Sequence, residues 1–243
     1  MIRNYEVETE KRVAFIRSMV ESSGASGIVY GNSGGKDCAL VSILCKMACD
    51  NTVGLILPCG SMRNYEMDKT DAEIIAAQYN IATRMIDLST VKDAFLFTIG
   101  NKSELSGAAL TNIAPRLRMT TLYAVAASEN RLVAGTGNRS EGYMGYFTKW
   151  GDGAYDFNPI ADLTVTEIYE FLRYLNAPGF IFEKAPSGGL FDGQTDEEEM
   201  GVTYSSIDEF LLTGATNEKD RAIIDRFHKT SEHKREMPPV FEG

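Results

Sequence analysis

The sequence predicts an α/β protein, a doubly wound, mostly parallel sheet with helices on both faces. Three observations carry this. Short β-branched runs alternate with longer stretches at helical spacing. The first such run leads straight into a glycine-rich turn that opens a helix. The third is that 44% of the 243 residues are apolar, enough for a sizeable core. No internal repeat or linker divides the chain, so residues 1–243 are expected to form one domain.

In chain order, residues 5–22 place Val13, Ile16 and Val20 on one side of an amphipathic helix that ends in a Ser/Gly-rich turn. Ile28, Val29 and Tyr30 make a first strand. The turn GNSGGKD follows, and CALVSILCKMAC reads as a helix. Residues 52–58 read as a second buried strand, residues 67–80 as a helix facing the core through Ile74, Ile75 and Ala77, and IATRMIDL as a third strand. Asn, Ser, Gly and Pro make 101–115 a loop. Residues 116–129 form a helix apolar on more than one face, deep in a core or at a subunit interface. RLVAGT (131–136) is the next strand. A glycine- and aromatic-rich segment runs to Pro159, then a helix over 164–176, a long loop over 185–201, and helical patches near 205–212 and 217–230.

Composition excludes several function classes. With 24 Lys and Arg against 34 Asp and Glu the formal charge is −10, which argues against holding a nucleic-acid backbone. The opening residues carry charges where a secretory leader needs an apolar run, and no window approaches the ~20 apolar residues of a membrane span. A cytoplasmic protein with no membrane contact is expected. The four cysteines, Cys38, Cys45, Cys49 and Cys59, read as reduced thiols. Three share one helical face, as small buried side chains do; a metal or iron–sulfur site would want a CxxC or a nearby histidine.

The segment Gly31-Asn32-Ser33-Gly34-Gly35-Lys36-Asp37-Cys38 carries the chemistry. At a strand's end and a helix's start, its N–H groups can converge on an anion, and phosphate is the natural one. It is neither a Walker A loop nor GxGxxG. Adjacent glycines let the backbone approach a pyrophosphate and Ser33 offers a hydroxyl. Asp37 would repel phosphates unless a cation lay between, which implies a magnesium–nucleotide site. An ordinary glycine-rich βα turn is the bland alternative.

Ser33 to Cys38, SGGKDC, resembles the pyrophosphate loop of the N-type ATP pyrophosphatases, usually SGGxDS. Residues 135–158 (GTGNRSEGYMGYFTKWGDGAYDFN), PRLRMTTLYAVA, KAPSGGLFDGQTDEEEMGVTY and the near-terminal EHK are similar, in the same order, to the ammonia-dependent NAD synthetases of that group. The resemblance implies an adenine nucleotide alpha hydrolase-like fold, no glutaminase domain and a homodimer. The implied reaction is ATP-dependent amidation of nicotinic acid adenine dinucleotide (deamido-NAD) by ammonia. An adenylate forms, then NAD, AMP and pyrophosphate are released.

By the same resemblance Asp37 and Glu141 hold Mg2+, while Thr136 and Ser187 join residues 31–38 on ATP. Arg116, Lys149, Asp156, His233 and Lys234 grip the dinucleotide, and Asp152 accepts the proton that ammonium must lose. Cys38 departs from the usual serine, replacing a good hydroxyl donor by a weak thiol. Val165 stands where better-known members have an ATP-contacting lysine, so either Lys36 or Lys184 compensates or the ATP affinity is lower. Asn32 is polar where an apolar residue is common. The aromatics Tyr143, Tyr146, Phe147 and Trp150 suit packing or ring stacking. His228 reads as structural, and Asp196 to Glu199 as a solvated first helical turn. Alternatives are another adenylating enzyme of the group, acting on a nucleotide or tRNA base, or a non-catalytic ATP-binding module.

Overall fold

The computed structural model describes residues 3–60, 62–100, 102–183 and 195–242. Four strands, β1 (Gly27–Gly31), β2 (Thr52–Ile56), β3 (Ala82–Met85) and β4 (Arg131–Ala134), form one all-parallel sheet in the order β3-β2-β1-β4. The helices are α1 (Tyr5–Ser23), α2 (Lys36–Ala48), α3 (Met62–Gln78), α4 (Ser89–Gly100), α5 (Gly107–Thr111) and α6 (Ile113–Glu129). They continue as α7 (Arg139–Met144), α8 (Val165–Tyr174), α9 (Asp196–Met200), α10 (Tyr204–Thr213), α11 (Glu218–Thr230) and α12 (Glu232–Arg235).

Period-two alternation sorts the strand side chains to two buried faces. Ile28, Tyr30 and Ala134 join Ile16, Leu40, Leu44, Ile75, Ile168 and Phe171 on one side. Val29, Val53, Leu55 and Val133 meet Leu88, Ala114 and Ala126 on the other. The doubly wound arrangement therefore holds. A third cluster of Met144, Val165, Met200, Val202, Tyr204, Ile207 and Ile224 packs α7 to α11 together beyond the sheet.

The topology positions the site. The chain leaves β1 for β2 and β3 on one flank and returns to add β4 on the other, so the switch point lies between the carboxyl ends of β1 and β4. Ligand crevices of open parallel sheets form there.

Three expectations are corrected. Within α3, Ile75 is buried with Ala72 and Ala76, whereas Ile74 and Ala77 are exposed. The run Ile74 to Ala77 offers apolar side chains on adjacent faces, and the stripe beginning at Ala72 is the one the sheet covers. Residues 101–115 are not one loop. Ser106 caps α5 through the Ala109 N–H, and Pro115 falls in the first turn of α6, where a missing N–H costs nothing. Finally, α6 is not deep in the core; it buries Ile113, Ala114, Pro115 and Ala126 and leaves much of its length half-exposed.

Ion pairs brace the periphery. Arg12 is buried and pairs with Glu8 at 2.7 Å and Asp162 at 2.7 Å while also donating to the Pro159 carbonyl, which ties α1 to the segment before α8. Glu129, at the end of α6, accepts from Arg84 on β3 and from Arg131 on β4. Those hydrogen bonds hold its carboxyl down from 4.5 to about 2. A depressed carboxyl stabilises the fold above its unfolded pKa and loses that contribution as pH falls through its folded one. Glu129→Gln is therefore expected to flatten the acid limb of a Tm-against-pH curve between 4.5 and about 2.

Candidate active site

A cavity of about 620 Å³ opens at the switch point, bounded by residues 31–38, by β4 and the residues after it, and by Lys234. The loop's conformation follows from its side chains. Gly34 has φ 72°, a value glycine adopts freely and a residue with a Cβ only rarely. Its N–H donates to Asn32 Oδ1 at 3.3 Å, and Asn32 Nδ2 reaches the Ala72 carbonyl of α3 at 3.4 Å. Asn32 is buried and fastens the loop to the neighbouring helix, which an apolar side chain cannot do. Gly35 is the N-cap of α2 and provides no side-chain cap, and Gly35, Lys36 and Asp37 all line the cavity.

Ser33 Oγ accepts from the Gly35 N–H at 3.3 Å and lies 3.2 Å from Cys38 Sγ. Burial pushes the Cys38 thiol up, so it remains protonated and inert. Thr136 lines the opposite wall.

The electrostatic centre is Lys36, Asp37 and Glu141. Lys36 is 8% exposed, and its Nζ donates to Asp37 Oδ2 at 2.8 Å. Burial works against its ammonium form, but Asp37 and Glu141 outweigh that and raise its pKa. Glu141 comes from α7, whose capping box joins it to Asn138: the Glu141 N–H donates to Asn138 Oδ1 at 2.9 Å and the Asn138 N–H to Glu141 Oε2 at 3.0 Å. Burial, then the charge of Asp37, pushes the Glu141 carboxyl up to about 8, with Lys36 acting in the opposite sense.

The sequence reading missed Asp196. The acidic run does open a helix behind a Thr195–Glu198 capping box, but its members diverge. Asp196 is buried, lines the cavity and accepts from the Tyr204 hydroxyl at 3.1 Å. Glu199 also lines it and accepts from Tyr146 Oη at 2.5 Å. A capping threonine followed by consecutive acids reads as solvated; only the packing of Met200 and Tyr204 turns the first acid inward.

A second group of predicted residues gathers around the turn after α7. The Thr148 N–H donates to Asp152 Oδ1 at 3.0 Å. Crowding by protein raises the Asp152 carboxyl although one side stays open to solvent, and Lys234 opposes the shift. Lys234 donates to the Gly145 and Phe147 carbonyls, both at 2.8 Å, with its Nζ 5.5 Å from the Phe147 ring centre. That reach needs Gly145, at φ 66°, because a Cβ there would lie 2.1 Å from Ser231.

Arg116, Lys149, Asp156 and His233 do not line the cavity. Arg116 donates to the Lys149 carbonyl at 3.4 Å and Lys149 to the His233 carbonyl, while Asp156 accepts from the Val133 N–H at 2.7 Å and from Tyr123 Oη at 3.2 Å. Trp150 is half-exposed at φ 61°, beside Lys149. His228 stacks on Tyr143 at 3.9 Å, and its Nδ1 lies 2.9 Å from the Tyr143 carbonyl, a packing arrangement. Val165 is 4% exposed in the third cluster, away from the cavity lining, so a lysine there would have to climb out of packed side chains. Ser187 and Lys184 lie outside the described residues.

The family model described as NAD synthase matches residues 8–238. The chain belongs to the NAD synthase family. It is 47% identical over 240 residues to the NH(3)-dependent NAD(+) synthetase of Carboxydothermus hydrogenoformans, covering 98% of each chain. It is 43% identical over 244 residues to that of Archaeoglobus fulgidus, covering 98% of this chain and 97% of the other. Among solved structures, the NMN synthetase from Francisella tularensis matches with TM-score 0.93 and 37% identity, over 99% of this chain and 100% of the other. The NH3-dependent NAD synthetase from Campylobacter jejuni, in complex with the nitrate ion, matches with TM-score 0.81 and 33% identity over the same shares. Membership makes the chain an ATP-using ligase that forms a carbon–nitrogen bond, with the adenine nucleotide alpha hydrolase-like fold that the motifs implied.

The helix that carries Glu141 is itself anchored by a buried acid. Asp208 on α10 is 2% exposed and accepts from Ser140 Oγ at 2.5 Å and from the N–H and hydroxyl of Thr166, both at 2.7 Å. Asp208→Ala strands these donors and is expected to cost about 3 kcal/mol in urea denaturation.

Proposed function

We propose that the chain amidates nicotinic acid adenine dinucleotide with ammonia at the expense of ATP, giving NAD, AMP and pyrophosphate. The observation that carries this is the Lys36–Asp37 pair at the uncapped amino end of α2, with Glu141 facing it across the switch-point cavity. An uncapped helix start and a buried ammonium suit the departing pyrophosphate, and residues 31–38, Thr136 and Ser187 are the proposed ATP contacts.

The donor set fits a magnesium ion. Burial and then Asp37 push the Glu141 carboxyl up while Lys36 acts in the opposite sense, and the hard carboxylate oxygens of Asp37 and Glu141 would hold the ion. Among the described residues no group of three or more His, Cys, Asp or Glu side chains is placed to hold a metal. When bound, Mg2+ supplies charge neutralisation on the phosphates.

The protein's own part is positioning and proton handling. The substrate carboxylate attacks the α-phosphate while Lys36 and the first N–H groups of α2 stabilise the leaving pyrophosphate. Ammonia then attacks the carbonyl of the adenylate and AMP leaves. Ammonium must first lose a proton, and Asp152, its carboxyl raised and open to solvent on one side, is the proposed acceptor. Lys234 at the cavity wall, with Arg116, Lys149, Asp156 and His233 beyond it, is assigned to the dinucleotide.

A homodimer through the half-exposed side of α6 is proposed, with a cytoplasmic location; no described helix is long and apolar enough to cross a membrane. Ammonia is taken free or from another chain.

One observation favours a second reading. The fold match to the protein named an NMN synthetase is tighter than to the named NAD synthetase, which admits the same amidation on a mononucleotide.

Purified protein with ATP, Mg2+, ammonium and nicotinic acid adenine dinucleotide is expected to form NAD, AMP and pyrophosphate in equal amounts. A higher kcat/KM for nicotinic acid mononucleotide selects the second reading, and ATP binding without products removes both. Asp152→Asn is expected to slow amide formation at least tenfold more than adenylate formation in single-turnover assays; equal slowing of both steps takes Asp152 out of the proton transfer. Light scattering at micromolar concentration should report a dimer.

A further inference from the structure

Asp37 and Glu141 come from helices far apart in the chain, and one amide touches both. Asn138 Nδ2 donates to Asp37 Oδ1 at 3.1 Å, while Asn138 Oδ1 accepts from the Glu141 N–H at 2.9 Å and the Asn138 N–H donates to Glu141 Oε2 at 3.0 Å. Because only an oxygen can accept from the Glu141 N–H, the amide's orientation is set, and its NH2 is the end that meets Asp37. Asn138 is 2% exposed, so water does not compete for these bonds. Its neighbours are held too: Asn158 Nδ2 donates to the Gly137 carbonyl at 2.8 Å and the Arg139 N–H to the Leu163 carbonyl at 2.8 Å.

We propose that Asn138 is a positioning residue that sets the separation and orientation of Asp37 and Glu141 for the magnesium–ATP complex. The inference rests on the metal role assigned to that pair above. Lys36 takes Asp37 Oδ2, so Asn138 and Lys36 grip opposite oxygens of one carboxylate and fix its plane, leaving each oxygen a lone pair for a cation. N-cap preference alone accepts Ser, Thr, Asp or Asn at this position. Serine and threonine cap but cannot span to Asp37, and aspartate would set a third carboxylate against it. Asparagine alone among them performs both duties.

The test separates capping from positioning. Asn138→Ser, and Asn138→Thr as a second variant should the first fold poorly, retain the cap and the hold on Glu141 while deleting the bond to Asp37. Mn2+ binding, read by electron paramagnetic resonance with a non-hydrolysable ATP analogue, is expected to weaken about 10- to 100-fold with Tm little changed. KM for ATP should rise and KM for the dinucleotide should not. In an Asp37→Ala background, Asn138→Ser should weaken Mn2+ binding by less than about threefold further, because the partner it acts through is gone. Unchanged Mn2+ affinity in the folded single variants, or a full additive loss in the Asp37→Ala background, overturns the positioning role and leaves Asn138 a cap. If the parent protein holds Mn2+ no better than the free analogue does, the metal role of Asp37 and Glu141 falls and this inference with it.

Discussion

Holding two carboxylates, those of Asp37 and Glu141, on the one buried residue Asn138 is the constraint on which the rest of this molecule depends. Burial and the charge of Asp37 raise the Glu141 carboxyl, and Lys36, itself buried, acts in the opposite sense. Such an arrangement survives because the surrounding fold over-determines it. Asp37 sits in the first turn of α2, Glu141 is locked into a capping box, and α7 is pinned through Ser140 to the buried Asp208.

The parallel sheet explains why these groups meet. Strand order β3-β2-β1-β4 makes β1 and β4 neighbours although β2 and β3 intervene in the chain, so the turn after β1 and the turn after β4 open at the same edge. One turn delivers the glycine loop and Lys36, the other delivers Thr136, Asn138 and Glu141. A third element closes the wall from the carboxyl-terminal helices: α9 contributes Asp196 and Glu199, and α12 brings Lys234 against the turn after α7. Outside the cavity lining, Arg116 donates to the Lys149 carbonyl and Lys149 to the His233 carbonyl.

The departures from the usual motif acquire physical meaning. Asn32 supplies a tether to α3 that replaces apolar packing with a buried hydrogen bond. Cys38 keeps company with Ser33 at a distance that lets the serine stay in the loop's own bonding pattern. Val165 belongs to the core cluster between α7 and α10, so its change from a cation is a packing solution at the start of α8.

Local sequence carried much of this. The alternation of β-branched runs with helical stretches determined an α/β sheet, because period two and period 3.6 are backbone properties that neighbours alone can express. The order Ser-Gly-Gly-Lys-Asp pointed to a phosphate loop, since two glycines, a helix start and an acid that would need a cation beside phosphate lie within one short segment. What the chain could not announce is which faces turn inward. Ile74 and Ala77 match a helical stripe as well as Ala72 and Ala76 do, and only the sheet's position selects between them. Asp196 looks like its exposed neighbours until Met200 and Tyr204 rotate it into the cavity. Asp37 and Glu141 meet through Asn138 only because the order of strands sets the turn after β1 beside the turn after β4. Burial and convergence are relations between distant segments, and tertiary structure alone decides them.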